Sequence, residues 1–504
     1  MSDKFSRRDA LKFSGAAVGT LALHGCGFSD ANATTTPAPD QNTLFANLPS
    51  FVPQNEPVAT GAMRISFMGT SVIERRAQQR SSVFVELGNG DSFVFDIGSG
   101  AVSNYVAMGV PWSKMRKIFL THLHGDHTSD LTHVYCFGPQ GDGKSPLYLF
   151  GPSRSGLRNP DYVNGAGSDQ FYNPEYFEDG MLDFALHFRE MNRWHTESQS
   201  FVGTRWKSGN GLPAAPGDGY DVYATELDWM TGDSSKRWTT SKFLNDNPGF
   251  TSAKGIAYQN NGVTISFFPA IHGRNGSISY KLEWNGLSMI FTGDTKPNNF
   301  LVTSALTGNP VDVLISEIVV NPDVWVTKQS GITDPTSPTY IAGLDNAEAV
   351  QVNSHTPQMA FGYILKQLEL QGKAPRLGVA THFQAEDDTN SWALEDIRSW
   401  YSGPVTIATD LMVIDATHGA IQVRRAIVSD YSWSAKWTDP RQSNGTYDPK
   451  YSDPQSCNPY HPMGPLNQFD PYLLANEIDP CLYNKSGFMC TQPYPTSSCK
   501  LPTT

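Results

Sequence analysis

The sequence lacks any uninterrupted apolar run of about 18 residues, which excludes a polytopic helical membrane protein. It is short of positive charge: 37 Lys and Arg stand against 49 Asp and Glu, a formal charge of −12. A long nucleic acid needs a basic surface that neutralises its phosphates, so no nucleic-acid partner is expected. Cysteine is scarce, at 6 in 504 residues, and no Cys-x-x-Cys spacing occurs, which argues against a zinc ribbon. No internal repeat is visible. Core-forming material is ample, at 39% hydrophobic and 12% aromatic. The length is roughly three times that of a typical single domain, so two units or one large elaborated domain are expected.

The first residues read as an address. Ser6-Arg7-Arg8-Asp9-Ala10-Leu11-Lys12, followed by a short apolar stretch from Phe13 to Leu23, resembles a twin-arginine export signal. Two processing sites compete. Ala31-Asn32-Ala33 fits small-x-small cleavage after Ala33, whereas Leu23-His24-Gly25-Cys26 resembles a lipoprotein box with lipid anchoring at Cys26. The expected partner is therefore the twin-arginine export machinery, and the expected location is periplasmic or extracellular, with no transmembrane segment after processing. Cys457, Cys481, Cys490 and Cys499 crowd into the C-terminal tail, as two disulfides of an exported protein would. Their pairing is open among three arrangements. Cys136 is expected as a buried free thiol.

Four segments follow from the pattern: a signal at 1–33, a linker or extended arm at 34–61, a main domain at 62–430 and a Cys/Pro/Tyr-rich tail at 431–504. Strands are expected at Arg64 to Thr70, Ser82 to Leu87, Ser92 to Ile97, Lys117 to Thr121 and Leu147 to Phe150. Residues 153–255 are rich in Gly, Asn, Trp and Asp with little periodicity, and read as an insertion with its own partial structure. Its Trp194, Trp206, Trp229 and Trp238 fit either a pocket wall or a small core. Strand signals resume at Val263 to Phe268, Ser277 to Trp284, Leu287 to Thr292 and Val311 to Ile315, with Asn285-Gly286 a strong hairpin turn. Thr356 as N-cap and Pro357 at the first helical position mark a helix carrying Met359, Ile364, Leu365 and Leu368. A strand at Leu377 to Thr381, a helix at Ser391 to Tyr401 and strands at Val405 to Ile407 and Leu411 to Ile414 complete the reading.

The chemistry lies in Thr121-His122-Leu123-His124-Gly125-Asp126-His127. Three imidazoles and a carboxylate directly after an apolar strand form a chelating loop. Neutral imidazoles suit zinc and related divalent ions, and Gly125 lets the chain turn. Alternation places His122 and His124 toward one metal, while Asp126 and His127 reach a second.

His122-x-His124-x-Asp126-His127 resembles the signature of the metallo-β-lactamase fold superfamily. Phe67-Met68-Gly69-Thr70-Ser71 and Phe95-Asp96-Ile97-Gly98 are similar to its ribonuclease Z-like and arylsulfatase-like branch. Later motifs follow in order: His272 after Phe268-Pro269-Ala270-Ile271, Asp294 in Thr292-Gly293-Asp294-Thr295, and His382 in Val379-Ala380-Thr381-His382-Phe383. The resemblance implies an α/β fold, an αββα sandwich, from about Ala62 to Ala416. It implies two divalent metals, with zinc expected: His122, His124 and His272 around one, Asp126, His127 and His382 around the other, and Asp294 between them. Asp96 is expected to orient the ligand loop by hydrogen bonds. His355, in Asn353-Ser354-His355-Thr356, falls where that branch carries a histidine acting on the leaving group, and Glu317 is placed to buttress it.

The expected activity is hydrolysis of a small-molecule ester, phosphodiester or sulfate ester, by a hydroxide shared between two cations with Asp126 facing it. A lactonase or β-lactamase-like hydrolase, or a non-catalytic exported binding protein on the same fold, is the alternative. His133, His187, His195, His418 and His461 are expected in ordinary surface or core roles.

Overall fold

Strands here bury alternate side chains on opposite faces, and both faces are covered. The computed structural model describes residues 48–429 apart from 54–55, 74, 143–145, 161, 163–173, 200–219, 221, 231–235 and 238–254. The export signal, most of the linker, Trp206, Trp238, His461 and the four tail cysteines lie outside the described residues.

In chain order the strands are β1 (Ser50–Phe51), β2 (Met63–Gly69), β3 (Ser82–Leu87), β4 (Ser92–Phe95), β5 (Lys117–Phe119), β6 (Leu147–Pro152), β7 (Val222–Leu227) and β8 (Lys236–Arg237). Then come β9 (Ile256–Asn260), β10 (Val263–Pro269), β11 (Ile278–Trp284), β12 (Leu287–Phe291), β13 (Val313–Glu317), β14 (Leu377–Thr381), β15 (Val405–Ile407), β16 (Met412–Ala416) and β17 (Ile421–Ala426). One sheet runs β1-β17-β16-β2-β3-β4-β5-β6-β7-β8 and the other β15-β14-β13-β12-β11-β10-β9. The helices are α1 (Ala101–Ala107), α2 (Gly125–Thr128), α3 (Leu131–Asp142), α4 (Met181–Met191), α5 (Arg193–Gln199), α6 (Asn299–Leu306), α7 (Pro322–Ser330), α8 (Pro338–Ser354), α9 (Gln358–Leu370) and α10 (Asp387–Arg398).

The period of two decides the layers. On β3, Val83, Val85 and Leu87 join a core with Leu287, Met289 and Phe291 of β12, between the sheets. Phe84 points the other way, into a cluster with Tyr105 of α1, Leu131 of α3 and Phe188 of α4. On the second sheet, Ile290 and Leu314 pack outward against Leu301 of α6, Leu365 of α9 and Ile397 of α10. The result is helix, sheet, sheet, helix. Each fully buried Phe or Leu contributes about 1.5–3 kcal/mol of transfer free energy, and Phe119 adds a stacked partner in Phe150 at 4.3 Å.

Hairpins set the register of the second sheet. Asn285 and Gly286 both take positive φ, 49° and 75°, the type I′ geometry that closes β11 on β12 with Trp284 opposite Leu287. Asn261-Gly262 does the same between β9 and β10.

In the stretch read as an insertion, 153–255, the described parts carry α4, which buries Met181, Ala185 and Phe188, and the strand β7, which pairs in parallel with β6 from Val222 to Leu227. The strand shows no alternation because both of its faces are covered. Two expectations about helix starts need correction. Thr356 does not cap its helix. Its hydroxyl donates to the Thr295 carbonyl at 2.6 Å, and the helix starts at Gln358 after Pro357. The helix expected at Ser391 to Tyr401 begins at Asp387, where the Glu386 amide donates to Thr389 Oγ1 at 2.9 Å. The end of the expected arm docks as an edge strand, with Phe51 buried beneath the guanidinium groups of Arg64 and Arg424 at 4.5 and 4.7 Å.

Candidate metal centre

The site gathers at the carboxyl ends of strands from both sheets. His122, His124, Asp126 and His127 follow β5, His272 follows β10, Asp294 follows β12, Glu317 ends β13 and His382 follows β14. Strand ends in adjacent parallel strands point the same way, so residues far apart in sequence meet there.

Two clusters form. His124 Nδ1 lies 3.0 Å from His122 Nε2 and 3.1 Å from His272 Nε2. In the second, His127 Nε2 lies 3.3 Å from Asp294 Oδ1 and 3.6 Å from Asp126 Oδ2. His382 Nε2 stands 3.4 Å from each of those two carboxylates. Asp294 reaches the first cluster as well, with Oδ2 3.6 Å from His272 Nε2.

Acceptors behind the rings decide which nitrogen faces inward. Thr121 Oγ1 donates to Asp96 Oδ2 at 2.8 Å, so His122 Nδ1–H donates to Thr121 Oγ1 at 3.1 Å and leaves its Nε2 lone pair toward the centre. His127 Nδ1–H donates to Asp96 Oδ2 at 2.7 Å, and His272 Nδ1–H to the Ser354 carbonyl at 2.8 Å. His122 and His272 thereby present a bare Nε2 to the centre, and His127 turns its Nε2 the same way, where a cation would take the place of its proton. Asp96 is fully buried and also accepts from the Thr121 amide at 2.8 Å. Asp96 and His382 take positive φ of 55° each, backbone strain concentrated at this centre.

The electrostatics fit cation binding. Burial pushes the His122 pKa well down and that of His272 to about 4, so both are neutral donors. Burial opposes charge on His127, but Asp294 and Asp96 outweigh it and hold its pKa well above the ordinary histidine value. Burial would raise Asp126, yet the hydrogen bond from His382 and the charge on His127 hold it below the usual carboxylate range. His127 Nε2 and Asp294 Oδ1 are buried 3.3 Å apart, and neither makes a well-formed hydrogen bond, a costly condition that a shared cation would relieve. Ligands about 2.0–2.1 Å from a tetrahedral zinc stand about 3.3 Å apart, close to the nitrogen spacings in the first cluster.

Glu317 and His355 adjoin the centre. His355 Nδ1–H donates to Glu317 Oε2 at 2.8 Å, while Oε1 accepts from the Thr295 amide at 2.5 Å. Burial would lower His355, but the Glu317 charge and hydrogen bond dominate and raise it to about 9. A ring nitrogen of His355 lies within 4.8 Å of ligand atoms of His272 and Asp294.

Residues 75–135 match the metallo-beta-lactamase superfamily. The sandwich described above has the αββα layering expected from the sequence. Among curated proteins, the chain is 28% identical over 128 residues to ribonuclease Z of Nitrosopumilus maritimus (strain SCM1), covering 23% of this chain and 43% of that protein. It is 35% identical over 103 residues to ribonuclease Z of Gloeothece citriformis (strain PCC 7424), covering 20% and 31%. The chain spans less than half the length of these curated relatives. Among solved structures, human tRNase Z, short form, is 17% identical with a TM-score of 0.40, covering 70% of this chain and 98% of that one.

Some functional partners carried no sequence signal. The Ser354 carbonyl and Thr295 amide act through backbone, which any residue supplies. Cys136 is buried and free, its thiol donating to Asn192 Oδ1 at 3.3 Å. Trp194 is 88% exposed and Trp229 packs against the inter-sheet core, so neither walls the centre.

Proposed function

We propose that the protein is a metal-dependent hydrolase that cleaves a phosphodiester of a small molecule. The observation that carries this is the paired cluster: His124 Nδ1 at 3.0 and 3.1 Å from two further imidazole nitrogens, beside a set in which His127 Nε2 and Asp294 Oδ1 are buried without a well-formed hydrogen bond. Two cations would be held by His122, His124 and His272, and by Asp126, His127 and His382, with Asp294 between. Bound there, such ions supply Lewis-acid polarisation of the ester and lower the pKa of water toward neutral, with zinc the ion that suits so many imidazoles.

The chain's own residues do the rest. Asp96 and the Ser354 carbonyl fix the ring orientations. His355 carries its second proton on Nε2, because Nδ1–H is engaged by Glu317, and donates it to the leaving oxygen. Glu317 holds that ring and stabilises its charge. The ribonuclease Z relatives support the phosphodiester over the sulfate ester or lactone. The acidic balance supports a small substrate over a long RNA. Export by the twin-arginine route to the periplasm or beyond belongs to the same proposal and rests on Arg7 and Arg8.

Elemental analysis and a chromogenic panel test the reading. Protein purified without added metal is expected to carry about two ions per chain, and to turn over bis(nitrophenyl) phosphate faster than nitrophenyl sulfate or a lactone. Faster sulfate or lactone cleavage overturns the substrate. One ion or fewer after reconstitution overturns the paired centre. Two ions with no turnover of any ester leave a binding protein instead.

A further inference from the structure

A cavity of about 570 Å³ opens between α4 and the ligand loop. One wall is a single face of α4, where Phe184, His187, Phe188 and Met191 recur at helical spacing. The facing wall is the ligand loop itself: Leu123 sits between His122 and His124, and Thr128 follows His127. Arg274, two residues past His272, also lines the cavity. The cavity therefore borders the ligand loop of the first metal cluster, with Leu123 flanked in sequence by two of the proposed ligands and Arg274 two residues from the third.

We propose that this cavity receives an apolar, aryl-sized substituent of the ester while the ester anion lies at the metals. This deepens the hydrolase reading and rests on it. Four large apolar side chains, Leu123, Phe184, Phe188 and Met191, line the space, and Met191 is 68% exposed. The volume falls in the range of pockets that enclose a drug-sized molecule. Charge decides against an anionic chain. Arg274 is the one Lys or Arg on the wall, and its Nη2 lies 2.9 Å from Asp179 Oδ2. Glu178 adds a further carboxylate to the wall. A second phosphate would meet a neutralised guanidinium and that acid, whereas an aromatic ring loses little and buries its surface. The substrate class is a monoanionic ester with one aromatic or comparably bulky apolar arm.

Calorimetric titration of the zinc-loaded protein with naphthylmethylphosphonate and methylphosphonate tests this without turnover. The naphthyl compound is expected to bind about ten- to a hundredfold more tightly, from burial of its rings. Met191→Asp, at an exposed position where folding is not at stake, and Phe184→Ser are each expected to cut that ratio to about threefold or less. Trp194→Ser, off the cavity, leaves it intact. Equal affinities in the unaltered protein, or a ratio untouched by both variants, overturn the proposal. An aryl preference without hydrolysis of any ester keeps the cavity as a ligand subsite and removes the hydrolase. Hydrolysis without aryl preference does the reverse.

Discussion

A proton on His355 is useful only if Nε2–H faces the leaving oxygen, and Glu317 secures that by accepting from Nδ1 at 2.8 Å. The same carboxylate raises the imidazole to about 9 in the metal-free chain. Two nearby cations would oppose that shift, so in the metal-loaded protein the value is expected below it. The sign is set by the role: the donor is the protonated form, so kcat/KM falls as pH rises through its pKa. Alkyl phosphodiesters, whose alkoxide needs the proton, are expected to show this alkaline limb. Nitrophenyl esters are expected to lack it. His355→Ala is expected to retain both metals and to slow alkyl substrates by about 10²–10⁴-fold, with a much smaller loss on nitrophenyl ones. pH–rate profiles of both substrate types on both proteins measure it, and equal losses would leave His355 a positioning residue.

At the scale of elements, the turn after β4 seats the ligand loop from beneath. The Ile97 amide donates to the His127 carbonyl at 2.8 Å, and a methyl group added at Gly98 would lie 2.0 Å from the Asp126 carbonyl oxygen. Gly98→Ala must therefore displace Asp126, which belongs to the second cluster, while His122, His124 and His272 hold the first. Metal content is expected to fall from two ions to about one per chain, and two retained ions would show that the turn yields instead. This contact illustrates what the sequence made legible. The chelating loop announced itself because its ligands are contiguous, and the hairpin at Asn285-Gly286 because its turn demands those residues. The helix α8 did not, since it buries only Tyr340 and Ala347 and exposes Ile341, Val350 and Val352, leaving no apolar stripe to read. Nor did β17, whose Gln422 and Arg425 face solvent and leave few apolar positions. The cavity wall on α4 was hidden for a further reason. Leu123 and His187 line one cavity although they lie far apart in the chain, so nothing local in the sequence marks His187 as a wall residue.

Assembly of the whole molecule bears on where its metals are acquired. Asp126 and His382 are 256 residues apart in the chain yet stand 3.4 Å from each other. Neither cluster exists until both sheets have closed, so a metal would bind the folded protein and would add its binding energy to the fold. An exported chain that crossed the membrane unfolded would have to find its ions outside. The twin-arginine route carries folded cargo, and Arg7 and Arg8 are the feature it would read. Their planar, forked guanidinium groups are not reproduced by lysine ammonium. Replacing both with Lys is therefore expected to hold the protein in the cytoplasm, folded and carrying the same metal complement as the exported form. Cell fractionation with elemental analysis of each fraction measures both quantities. Efficient export of the Lys pair would assign the chain to the general secretory route. A cytoplasmic form without metal would place loading after export and remove the reason for a folded-cargo signal.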